Sequence, residues 1–226
     1  MPRGLFITGT STEVGKTRIA AMIARQLHAA GVRVGVYKPA ASGCREVDGQ
    51  LHADDAAALW EAAGRPLSLQ QVCPQRFLAP LAPHRAAAAE DRTVDEQLLR
   101  DGLQPWLAAC EFVLVEGAGG LMSPLGDATY NADLAAEFGL PLVVVAANEL
   151  GVINQVLQTV VTAGVRAPQA RVAGVVLNQI AARPDDASLS TNAAEIAARC
   201  DAPLLAMVAH GGGTFEPNVD WLAVSR

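Results

Sequence analysis

Leu5-Phe6-Ile7-Thr8-Gly9-Thr10-Ser11-Thr12-Glu13-Val14-Gly15-Lys16-Thr17 is an apolar run, then a loop of small residues, then a Gly-Lys-Thr triplet opening an alanine-rich stretch. A strand, a glycine loop and a helix in that order form a cradle for phosphate. Successive backbone N–H groups can wrap an anion, and the helix N-terminus adds positive potential. In this reading the backbone of Glu13, Val14 and Gly15 surrounds a β-phosphate, Lys16 bridges the β- and γ-phosphates, and the Thr17 hydroxyl binds Mg²⁺. The spacing departs from GxxxxGK[ST]: Gly9 stands one residue further from Gly15, with Thr10 at the usual glycine place.

Working outward, short apolar runs alternate with alanine-rich helical stretches. Strands are expected at Leu5–Thr8, Val32–Tyr37, Phe112–Glu116, Leu142–Ala146, Val172–Leu177 and Leu204–Val208, helices near 16–30, 54–63, 94–109, 131–138, 152–164 and 190–200. Continuous rather than alternating apolar character means that both faces of each strand are covered. The expected fold is a single doubly wound α/β domain over 1–226, mainly parallel, with helices on both faces and ligands at the carboxyl ends of the strands. Thr93 and Glu96 suggest a capping box for the third helix. Gly31, Gly64, Gly139 and Gly164 suggest helix ends. The proline-rich stretch 65–92 reads as a loop with one short helix at most.

Of the 17 basic residues only Lys16 and Lys38 are lysine. Either chance left two survivors, or lysine has been kept where a compact ammonium suits phosphate oxygens better than a planar guanidinium. The net charge of −6 and the lack of basic clusters argue against a nucleic-acid surface. No apolar run approaches the ~20 residues of a membrane span. Cys44, Cys73, Cys110 and Cys200 are widely separated, as reduced thiols of a cytoplasmic protein would be.

Glu116 ends an apolar strand, where a carboxylate is costly unless it binds metal or is paired. Asp55 opens an Ala-rich helix, either offsetting its dipole or serving as a second metal ligand. Gly117-Ala118-Gly119-Gly120 follows Glu116 directly, and its free N–H groups could hold an oxyanion. Lys38-Pro39, with Ala41-Ser42-Gly43 beyond, has the same strand-end location. Ordinary winding would put it on the strand beside the phosphate loop. Lys38 is either a surface lysine or a second ammonium facing the γ-phosphate.

Taken together, these stretches resemble the dethiobiotin synthetases. The resemblance runs through Thr8–Thr17, Tyr37-Lys38-Pro39 with Ser42-Gly43, Pro80 to His84, Val115–Gly120, Leu150–Asn154 and Val176-Leu177-Asn178. It implies a homodimeric enzyme that converts 7,8-diaminopelargonic acid, CO₂ and MgATP to dethiobiotin in biotin synthesis, through a carbamate and a carbamic–phosphoric anhydride. By the resemblance, Lys16 and Lys38 neutralise phosphoryl and carbamate oxygens, Thr12 holds the carbamate end, and Thr17, Asp55 and Glu116 hold Mg²⁺. Ser42 and the Gly117, Ala118 and Gly119 backbone position the diamine. Gly151, Val152, Ile153 and Asn154 open a helix whose amides receive the substrate carboxylate across the dimer interface, and Asn178 reads the adenine edge. Without the resemblance, Gly151–Asn154 is equally an amide-capped helix start and Asn178 a turn former.

Where the family has a proline-containing segment, this chain has Met207-Val208-Ala209-His210-Gly211-Gly212-Gly213-Thr214. The glycines predict a more mobile loop than a proline would give, which puts base selectivity in doubt. Three rival readings fit less well, the simplest being a non-enzymatic Gly-rich binding protein, which would not need Lys16, Thr17 and Glu116 together. A cobyrinate-amidase-type enzyme carries a glutamine-hydrolysing domain, for which this chain is expected to lack room. A ParA- or MinD-like ATPase switch has an extra lysine early in the loop, where Thr10 and Ser11 stand here.

Overall fold

The computed structural model describes residues 3–183 and 185–226. Six strands form the central sheet: β1 (Arg3–Gly9), β2 (Val34–Tyr37), β3 (Phe112–Glu116), β4 (Leu142–Ala147), β5 (Val172–Asn178) and β6 (Leu204–Val208). Their order is β6-β5-β4-β1-β3-β2, every pairing parallel. The apolar runs form strands because both faces are covered: Phe6, Ile7, Val113, Leu114, Val143 and Val144 are all buried to within 1 %. Helices α1 (Lys16–Ala29), α2 (Asp54–Ala62), α3 (Glu96–Asp101), α4 (Gln104–Ala109), α5 (Asn131–Phe138), α6 (Val152–Arg166) and α7 (Asn192–Arg199) surround the sheet. Separate apolar clusters, one around Phe6 and Ile19 and one around Val144, Val156 and Ile196, complete the doubly wound α/β architecture.

Several expectations are corrected. β2 does not lie beside β1, because β3 is inserted between them. Lys38 therefore faces the end of β3, where Glu116 stands. β2 starts two residues later than the apolar run, since the Val32 N–H closes the helix turn by donating to the Leu27 carbonyl. The helix expected over 94–109 is broken into α3 and α4. The Tyr37 hydroxyl lies on the Leu98 and Leu99 carbonyls at 2.9 and 3.0 Å, and Pro105 has no N–H to give back to Asp101. The cap of α3 is Asp95, whose Oδ1 accepts from the Leu98 N–H, not Thr93. Glu96 instead accepts from the Thr129 hydroxyl and the Ala128 N–H.

Gly31, Gly64 and Gly139 take positive φ near helix ends as expected, whereas Gly164 lies inside α6. The stretch 65–92 holds two short helices, Leu69–Val72 and Pro83–Ala88, rather than one. A small hairpin, Arg45–Val47 with Gln50–His52, was not expected.

Candidate functional site

The carboxyl ends of β1, β2 and β3 converge on one cavity of about 700 Å³. Thr12, Glu13, Gly15, Lys16, Thr17, Lys38, Ser42, Asp55, Glu116, Ala118 and Gly119 share its wall. Pro80–Pro83, Ser123 and Pro124 complete it.

The loop's shape follows from its glycines. Gly15 has φ +87°, and a Cβ there would stand 2.1 Å from Asn178 Nδ2, so any side chain would be both strained and blocked. Gly9 is also confined, since its Cβ would meet the Ser11 carbonyl oxygen at 2.8 Å. At the start of α1 the Lys16 ammonium folds back on that same Ser11 carbonyl, 3.2 Å away. Burial lowers the Lys16 pKa; Glu116 partly restores it and Lys38 opposes that. The ammonium is held by the Ser11 carbonyl, a partner that a phosphate can replace.

Across the cavity, Lys38 donates to Glu116 Oε1 at 2.6 Å and approaches Asp55 Oδ2 at 3.1 Å. Burial alone would lower the Lys38 pKa, but the Glu116 and Asp55 carboxylates outweigh it, so the ammonium stays charged above the ordinary lysine range. Burial pushes the Asp55 carboxyl up, yet Lys38 and the Thr17 hydroxyl hold it net below its usual value. Thr17 Oγ1 also donates to Glu116 Oε1 at 2.8 Å. Glu116 is 1 % exposed and its Oε2 is buried with no hydrogen-bond partner. Thr17, Asp55 and Glu116 thus present hard oxygens around one point, with an unsatisfied carboxylate oxygen among them. Nearby, burial pushes the Cys73 thiol up to about 12, so it is no nucleophile at neutral pH. All four cysteines are free.

Other candidate residues lie away from this wall. Val14 is in the core, and its carbonyl accepts from Asn178 Nδ2 at 3.0 Å. Asn178 Oδ1 accepts from Arg18 at 2.8 Å. The amide of Asn178 thereby braces the phosphate loop, and both of its ends are engaged. Gly117 donates its N–H to the Ile7 carbonyl and is packed on Asn131. Gly151, with φ +96°, precedes α6, the Val152 side chain is buried in the core and Asn154 is exposed. The expected mobile glycine loop is tied down: Arg18 donates to the Ala209 and Gly212 carbonyls, and Met207 pairs with Glu216 in both directions.

Three residues escaped the sequence reading. Arg18 follows the phosphate motif and reads as an ordinary helix arginine. Ser123 Oγ accepts from the Gly120 N–H at 2.9 Å, and Asn131 is wholly buried under the glycine cluster. A serine three residues past Gly120 was a visible turn signal. Nothing in the sequence marks an asparagine at the start of α5 as buried.

A family model described as an AAA domain matches residues 3–213. The ATP-dependent dethiobiotin synthetase BioD of Rhodopirellula baltica is 43 % identical to this chain, over 92 % of this chain and 84 % of its own length. The chain belongs to the dethiobiotin synthetase family. A second relative of that name, from Anaeromyxobacter dehalogenans, is 43 % identical over 96 % of this chain and 92 % of its own. A third, from Aromatoleum aromaticum, is 36 % identical over 96 % and 95 %. Membership in the dethiobiotin synthetases thus extends over nearly the whole chain, well beyond the cavity.

Proposed function

We propose that this chain forms dethiobiotin, ADP and phosphate from 7,8-diaminopelargonic acid, CO₂ and ATP. One amine nitrogen attacks CO₂ and loses a proton, giving a carbamate. A carbamate oxygen attacks the γ-phosphorus as the bond to ADP breaks, giving a carbamic–phosphoric anhydride. The second amine attacks the carbonyl carbon, loses its proton, and expels phosphate as the ring closes. The observation that carries this reading, within a family of that name, is the pair of ammonium groups in one cavity, Lys16 on the phosphate loop and Lys38 at the end of β2.

On the cavity wall, Asp55 and Glu116 are both engaged by Lys38. Positioning and charge neutralisation carry the chemistry. Lys16 leaves the Ser11 carbonyl for the β- and γ-phosphates. Lys38, kept charged by two carboxylates, faces the carbamate and the transferring phosphoryl oxygens. Thr12 and Ser42 line the diamine side with the Ala118 and Gly119 backbone.

The oxygens of Thr17, Asp55 and Glu116 fit Mg²⁺, because Glu116 Oε2 is buried and unpartnered. When bound, Mg²⁺ would neutralise charge on the triphosphate. Asn178 would act here as the brace of the phosphate loop; reading the adenine edge would require its amide to leave the Val14 carbonyl and Arg18.

The enzyme is read as a homodimer, its site completed by the Gly151–Asn154 helix start of the partner. Leu150, Val161 and Val165, at 81 %, 67 % and 73 % exposure, give α6 and its approach an apolar outer face for a second copy to cover. No helix among the described residues is long and apolar enough to cross a membrane. With four free thiols, a cytoplasmic location and one synthetase domain over 1–226 fit the chain, without nucleic-acid or membrane partners. The ATPase-switch alternative is not favoured: no lysine stands at Thr10 or Ser11.

Phosphate release from MgATP tests the reaction. Release should need both diamine and bicarbonate and collapse in Lys38→Ala; release indifferent to the diamine would reject it.

A further inference from the structure

Asn131, the first residue of α5, is 0 % exposed. Its Nδ2 donates to the Ala118 carbonyl at 2.7 Å, the Gly120 carbonyl at 2.9 Å and the Ser123 carbonyl at 3.3 Å. One buried amide therefore collects three carbonyls from the segment after Glu116. Its Oδ1, buried and without a hydrogen-bond partner, faces Gly117, where a Cβ would stand 2.5 Å away. Gly117 must be glycine because that amide lies against its backbone.

A trans peptide unit is planar, with its C=O and N–H pointing in opposite directions. Drawing the Ala118 oxygen onto Asn131 turns the Gly119 N–H away from Asn131. Gly119, at φ +76°, lies on the cavity wall with Lys16 and Lys38. Neither the Ala118 nor the Gly119 N–H has a protein partner among the described residues.

We propose that Asn131 is a positioning residue that holds the Ala118–Gly119 peptide with the Gly119 N–H aimed into the cavity, as a donor to a phosphoryl or carbamate oxyanion. The orientation stands on the hydrogen bonds alone; which oxyanion it meets rests on the synthetase reading. A fixed backbone dipole needs no reorganisation as charge develops, which is where such donors act most strongly. Gly117-Ala118-Gly119-Gly120 provides room for this peptide, and Asn131 selects which way it faces.

The test compares wild type with Asn131→Ala. In ¹⁵N-glycine-labelled protein, inorganic triphosphate should shift the Gly119 and Gly15 amides of wild type. In the variant the Gly15 response should persist while the Gly119 response falls by at least about half. A Gly119 amide in wild type unmoved both by triphosphate and by diamine with bicarbonate, or equal Gly119 responses in both proteins, would overturn the proposal. In turnover, kcat for diamine-dependent phosphate release should drop ~10²–10³-fold, with KM for ATP within about threefold. A loss of ATP affinity matching the loss of kcat would mean general collapse of the site and also count against it.

If Asn131→Ala does not fold, Asn131→Ser keeps one donor and should show the same pattern at intermediate size. Wild-type phosphate release independent of the diamine would sink the synthetase reading and leave the amide comparison to decide on Asn131.

Discussion

Replacing Lys38 by Met should destabilise the protein by about 3 kcal/mol, the lower end of the range for breaking a buried ion pair. Both partners are interior, at 3 % and 1 % exposure, and the 2.6 Å contact leaves no room for solvent between them. The cost comes from Glu116, left charged and dry. It sits at the lower end because Thr17 Oγ1 still donates to Glu116 and Lys16 remains nearby. Asp55, about half exposed, regains water and adds little.

Lys38→Met with Glu116→Leu removes both charges and should recover most of the loss, because a buried pair and an apolar pair of similar volume are nearly equivalent. Urea unfolding at neutral pH measures this. With a slope of about 2–3 kcal/mol/M the single variant's midpoint falls by about 1–1.5 M, the slope itself unchanged. The reasoning fails if Lys38→Met loses less than about 1 kcal/mol, or if the double variant is as unstable as the single one. Since Lys38 is held above its ordinary range, its contribution is complete below about pH 10 and is lost only as pH rises past the folded value. The deficit should therefore not change between pH 7 and 9.

Gly15→Ala should abolish binding of MgATP and cost about 1–3 kcal/mol of strain, since φ is +87° and Asn178 Nδ2 occupies the space; retained triphosphate affinity by calorimetry would refute the loop assignment. Arg18→Ala frees the 209–212 carbonyls and Asn178 Oδ1. It should raise KM for ATP and narrow the preference for ATP over CTP and GTP, whereas wild type, with that loop tethered, should prefer ATP clearly in a turnover comparison. The depressed Asp55 carboxyl contributes stability that is full above its usual value of about 3.9 and is lost as pH falls through the lower folded one. Acid titration of Asp55→Asn should show a shallower decline below pH ~4 than wild type; parallel curves would refute the pairing. Val161→Glu, on the exposed face of α6, should shift the oligomer toward monomer in sedimentation, and an unchanged dimer would place the interface elsewhere.

The strands and the phosphate loop were legible because their signals are local: an apolar run buried on both faces, and glycines spaced for a tight turn before Lys16. Lys38 and Glu116 could each be flagged, one by the scarcity of lysine and one by a carboxylate ending an apolar strand. That they touch depended on β3 inserting between β1 and β2, and strand order is not written in any single segment. Gly102 and Pro105 lie where the third helix breaks, but the Tyr37 hydroxyl that reinforces the break comes from 61 residues away. Asn131 was invisible because a polar residue at a helix start ordinarily faces water. Only the chain reversal after Glu116 puts three carbonyls over it.

The two lysines bring a chemical consequence of their own. Lys16 is 7 % and Lys38 3 % exposed, so in the native protein neither lysine is freely open to acylating reagents. Acylation at either lysine then reports transient opening of the phosphate loop or of the β2 end. While the site is closed, burial holds the Lys16 pKa down, whereas Glu116 and Asp55 hold that of Lys38 up. Bound nucleotide should slow modification of Lys16.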